Sequence, residues 1–203
     1  MLRHVPRRGT SAAALAVGLV AVVAPATTSA TVMVPEVVDT VNAVRDATRP
    51  VGALAAGGCS GGAARASKAS PKKLRSALQC LVNRKRAAHG LGALRLDRRI
   101  QRAAGRHARD MARNDYFAHQ RSGGPDLTAR LRRAGWKGSA WGENIAYGCG
   151  SYGTPRATLR AWMNSSSHRH ILLSGKYGLA GFGVPDSAPC GAGAMWVMDV
   201  GRR

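Results

Sequence analysis

A chain of 203 residues suffices for one packed domain with a leader and is short for two. Its 31 lysines and arginines stand against 10 acidic residues, a formal charge of +21 at pH 7 that should attract anions such as wall polymers or acidic headgroups. No basic stretch is interleaved with aromatic residues for base stacking, so a specific nucleic-acid partner is not expected.

Residues 1–30 read as a secretory signal peptide. Arg3, Arg7 and Arg8 form a positive head, Ala12 to Ala24 an apolar run too short to span a bilayer, and Ser29-Ala30 a small-residue exit. No later segment is apolar enough to cross a membrane, so the expected protein is secreted and extracellular. Residues 31–71 form a low-complexity leader and linker. It includes a short helical pattern from Pro35 and the Gly/Ala/Ser tract "VGALAAGGCSGGAARASKASP". The domain proper is expected over 72–203.

Within it, Leu74, Leu78, Leu81 and Val82 share one helical face ending near Gly90. Asp97 is placed to N-cap a second helix, "RRIQRAAGRHARDMARNDYF". "DLTARLRRAG" is a shorter helix stopped by Gly135, "ENIAYG" a buried strand, and "TPRATLRAWMNS" a helix with Pro155 in its first turn. "YGLAGFGV" and "AMWVMDVG" alternate as two antiparallel strands, giving a mixed α/β domain. Cys59, Cys80, Cys149 and Cys190 are too widely spaced for a zinc ribbon and suit two disulfides. Three pairings are open; Cys59–Cys80 with Cys149–Cys190 is expected, because each staples neighbouring segments.

Glu143, in "WGENIAYG", is the only glutamate after residue 36, and it lies in an apolar, Gly-flanked segment where it solubilises nothing. His107 falls on an apolar helix face and reads as a core histidine; His89 reads as a helix-end cap. His119 and His168 remain as candidates beside Glu143. Two imidazoles and a carboxylate are a zinc-like ligand set with one place left for water, and equally a hydrogen-bonded polar pocket without metal. Ser165, Ser166 and Ser167 precede His168 without a nucleophile elbow, and capping by Ser166 or Ser167 is the expected role.

The ordered blocks "LVNRKRAAHGLGALRLDRRIQRAAGRHARDMARNDYFAH", "GENIAYG", "AWMNSSSHRHILL", "GLAGFGV" and "MWVMDVG" resemble the bacterial CAP domain, also called SCP, of the cysteine-rich secretory, antigen 5 and pathogenesis-related 1 superfamily. The resemblance covers roughly residues 74 to 201. It implies a three-layer α-β-α sandwich with a small, mostly antiparallel sheet and a central cleft. That cleft would be lined by His119, Glu143, His168 and Ser165, and in the family it sometimes binds zinc, for which His119, Glu143 and His168 would be the ligands. The family's second acid falls at about Ser165, which is not acidic, and the block after His168 is shortened.

Three functions are compatible with these residues. The first is a secreted binding module for a small or lipidic ligand or an envelope component, with or without a divalent ion. The second is a metal-dependent hydrolase of an extracellular or wall substrate, with Glu143 or a bound water as base. The third is a cationic surface-interaction protein that meets an anionic envelope polymer. The missing second carboxylate favours binding over catalysis.

Overall fold

The computed structural model describes residues 58–185 and 193–203, together with the short strand Ala21–Val23. The helical pattern expected from Pro35 and the residue Cys190 lie outside the described residues.

Helix α1 (Pro71–Ala87) starts where the linker was expected to end, with Ser70 accepting from the Lys73 N–H and Pro71 in the first turn. Asp97 caps α2 (Arg98–Arg113) by accepting from the Arg99 and Ile100 N–H groups, as its position predicts. The sequence pattern ran this helix on to Phe117. It stops earlier because Asn114 closes the last turn and Asp115 turns left-handed at φ 48°. Asp126 caps α3 (Leu127–Arg133), and Gly135, at φ 81°, ends it in the left-handed conformation that an L side chain resists.

The sheet runs in the order β1-β3-β5-β4-β2, with β1 at Ala21–Val23, β2 at Arg95–Leu96, β3 at Ala140–Cys149, β4 at Leu179–Gly183 and β5 at Gly193–Arg202. All pairings are antiparallel except β2 with β4. Helices α4 (Pro155–Asn164) and α5 (Ser166–Leu172) follow β3. The separate helix α5 was not expected; Ser165, extended at φ −100° and ψ 126°, breaks the chain between the two.

Two layers of helix cover this sheet, which is why β5 is buried on both faces instead of alternating. On one face, Ala104, Ala108 and Met111 of α2 pack on Ile145, Met195 and Val197. On the other, Leu74, Leu78 and Val82 of α1, Trp162 of α4 and Ile171 of α5 pack on Ala146, Trp196 and Met198. The α2 backbone lies so near β4 that a Cβ at Gly183 would strike the Ala104 carbonyl.

The end of the Gly/Ala/Ser tract is tied down rather than loose. Cys59 is bonded to Cys80 of α1, and the Arg156 N–H donates to the Gly62 carbonyl. Cys149 is also disulfide-bonded, although its expected partner lies outside the described residues.

Candidate functional site

Alternation along β3 sends Glu143 and Asn144 to opposite faces of the sheet, and this decides which candidates meet. Glu143 points toward α2 and α3. His119, in the loop between them, donates from Nδ1 to Glu143 Oε1 at 2.6 Å; the carboxylate can only accept, so Nδ1 carries the proton. Arg130 donates from Nη2 to Glu143 Oε2 at 2.5 Å and from Nη1 to the His119 carbonyl, also at 2.5 Å. One guanidinium thus fixes both the glutamate and the loop that carries its histidine partner. His107 stands behind them, its Nε2 donating to the Ala118 carbonyl at 3.1 Å and lying 3.9 Å from Glu143 Oε2.

Asn144, on the other face, donates from Nδ2 to the His168 carbonyl at 3.0 Å. His168 is buried in the α5 layer, its Nδ1 within 2.6 Å of Ser165 Oγ. His119 and Glu143 therefore come together, His168 and Ser165 come together, and the sheet separates the two pairs. Ser165, rather than Ser166 or Ser167, occupies the N-cap position of α5, and its side chain makes no cap hydrogen bond to the backbone. Trp162 has the packing role expected of it, fully buried with its indole N–H on the Ile145 carbonyl. His89 contacts the Lys85 carbonyl at the end of α1, as a capping histidine should.

The set His119, Glu143 and His168 does not fit a zinc-like ion here. Among the described residues no three histidine, cysteine or acidic side chains are grouped to hold a metal. Both Glu143 oxygens are engaged, one of them by a guanidinium whose charge would repel a cation. The Nε2 of His119 is buried without a partner, one donor atom where a metal site needs three or four.

Electrostatics separate the buried groups. Burial works to raise the Glu143 carboxyl, but the His119 hydrogen bond and the Arg130 charge overcome it and hold it well below the usual carboxylate range. Asp199, its partner in register on β5, goes the opposite way: burial first, then the Glu143 charge, push it well above. Neither Asp199 oxygen has a hydrogen-bond partner, so no hydrogen bond offsets the burial that disfavours its charged form. Burial lowers His107 to about 4, against the pull of Glu143. Arg130 and Asp199 were not singled out in the sequence, and His107 was read there only as a core histidine. An acid inside the apolar run "MWVMDVG" is the same signal that marked Glu143 and could have found Asp199.

Known proteins resemble this chain in sequence, and others in fold. The chain is 36% identical over 104 residues to an uncharacterized membrane protein, YlbC, of Bacillus subtilis, covering 51% of this chain and 29% of that one. It is 31% identical over 116 residues to the uncharacterized protein YkwD of the same organism, covering 57% and 42%. The match therefore spans less than half the length of these curated relatives. An extracellular SCP-domain protein of Bacillus anthracis superposes with a TM-score of 0.56 at 27% identity, over 66% of this chain and 44% of that one. An outer surface protein of Borrelia burgdorferi, at 20% identity and TM-score 0.55 over 62% and 90% of the two chains, shares the fold. Residues 80–200 match the sequence profile of the cysteine-rich secretory protein family, CAP, and the chain belongs to that family.

Proposed function

We propose that this protein is an extracellular binding module that holds a component of the cell envelope, and not a hydrolase. The state of Glu143 carries this reading. A general base must be free to take a proton near the working pH. Glu143 is fully buried, has both oxygens engaged, and is held far into its ionised form. It behaves as the anchor of a rigid polar centre, binding the His119 loop to β3 through Arg130. Among the described residues no helix is long and apolar enough to cross a membrane.

The test is incubation of the purified protein with isolated envelope material. Co-sedimentation is expected, with no soluble fragments released and no effect of a chelator. Fragment release abolished both by chelator and by Glu143→Gln would overturn the reading in favour of metal-dependent hydrolysis.

A further inference from the structure

On the α2–α3 face lies a cavity of about 510 Å³ lined by Arg106, Arg109, Arg113, Arg121, Arg130 and Arg133. Resting on the binding reading above, we infer that this cavity binds the phosphate group of a small phosphorylated polyol or sugar unit.

Three observations converge on it. First, Arg106, Arg109 and Arg113 recur at spacings of three and four along α2, which brings them to one side of that helix, while Arg130 and Arg133 come from α3 and Arg121 from the intervening loop. Three chain segments thus aim like charges at one concavity. Second, the charges are not neutralised locally. Among the described residues no ion pair joins any of the five exposed arginines to an acid. Asp110, the one acid in the lining, accepts from Asn114 Nδ2 at 2.8 Å and from Tyr116 Oη at 2.5 Å, and its single charge offsets only one of these five. Third, the base is rigid and polar. Arg130 is 8% exposed, anchored by Glu143, and its Nε is buried without a partner. Neutral His107 lies beside it.

The shape of the anion follows from the donors. A guanidinium fork matches an edge of either carboxylate or phosphate. A planar carboxylate presents two oxygens in one plane, whereas arginines lining the cavity from three chain segments are better matched by a tetrahedral phosphate, which offers an oxygen to each side. The volume exceeds one phosphate and lies in the range of sites for small organic ligands.

Calorimetric titrations of the whole chain with inorganic phosphate and with glycerol 3-phosphate, and sedimentation with phosphatidylglycerol or phosphatidylcholine vesicles, test this. The double variant Arg106→Gln with Arg133→Gln should weaken phosphate-ligand binding about tenfold or more, as expected for lost charge-assisted hydrogen bonds. The charge-matched double Arg156→Gln with Arg160→Gln, exposed on α4 across the sheet, should change it less than about twofold. Glycerol 3-phosphate binding with this dependence assigns a soluble or polymer-borne phosphate; the same dependence seen with phosphatidylglycerol vesicles alone assigns a headgroup. Equal weakening in both doubles, or no binding of any probe, overturns the inference. Envelope co-sedimentation unaffected by the first double would overturn it too while leaving the binding reading standing. Fragment release would do the reverse.

Discussion

Glu143 and Asp199 stand opposite each other on β3 and β5, two fully buried carboxyl groups that both feel the Arg130 guanidinium. One positive partner balances one negative charge, and burying a second unpaired anion would cost several kcal/mol. The pair divides accordingly, with Glu143 ionised and Asp199 neutral. Asp199→Asn, which keeps shape and neutrality, should therefore alter stability by less than about 1 kcal/mol. Glu143→Gln leaves Arg130 buried without its counter-charge and should cost about 3–5 kcal/mol. Urea unfolding of the two variants checks this; equal losses would mean that Asp199 carries a charge.

His107 supplies a pH dependence of definite sign. Its folded pKa of about 4 lies below the unfolded value of 6.5, so the unfolded chain takes up the proton first. The stability it contributes is complete above 6.5 and is lost as pH falls toward 4, by up to about 3 kcal/mol. Of the groups facing it, Glu143 adds loss in the same direction only below its own unfolded value of 4.5, while Asp199, held protonated, opposes it. Between about pH 7 and 5 the His107 and Asp199 contributions oppose each other, so the test is the difference: on lowering the pH, unfolding free energies should rise less, or fall more, for the natural protein than for His107→Gln. Parallel slopes would assign the dependence to other groups.

Arg86 is a second buried arginine, 2% exposed at the end of α1. It donates from Nε to the Gly92 carbonyl at 2.9 Å, from Nη1 to Leu172 and Ser174 at 2.8 and 2.9 Å, and from Nη2 to Tyr177 at 3.3 Å. These carbonyls belong to the turn after α1, to the last residue of α5 and to the segment joining α5 to β4. Arg86→Lys cannot span them with its single ammonium and should destabilise by about 2–4 kcal/mol. Thermal unfolding tests this; an unchanged midpoint would show that the carbonyls find other donors.

The Cys59–Cys80 bridge closes a loop of sequence separation 21. Chain-entropy arguments give such a loop about 3 kcal/mol of stabilisation. The double variant Cys59→Ala with Cys80→Ala should lose roughly that amount and make the segment before Pro71 sensitive to protease. Resistance equal to that of the natural protein would show that packing of the segment suffices.

Much of the fold is legible in local signals: Asp97, Asp126 and Pro155 mark helix starts, Gly135 a stop, and the two glycine-bearing runs near the C-terminus pair as strands. The partners of Glu143 are not. Arg130 is one of three arginines in "RLRR", chemically equivalent until α3 docks and turns one of them inward. His107 was legible as buried, but its approach to Glu143 depends on α2 crossing the sheet. His168 shows the converse. Its block resembles the family's, yet Asn144 takes up its carbonyl on the face that Glu143 does not use.

Strand β1 pairs Val22 with Glu143 and lies within the stretch whose sequence pattern predicts removal on export. If that stretch is cut away, β1 leaves with it, and the backbone of Gly142–Asn144 becomes an open margin. A bare margin of this kind is adhesive toward any extended chain. Export would then turn the outer strand of the mature domain into a vacant berth, on the backbone of the residue that organises the polar centre. The arginine-rich surface would be its guard, since two copies meeting edge to edge bring like charges together.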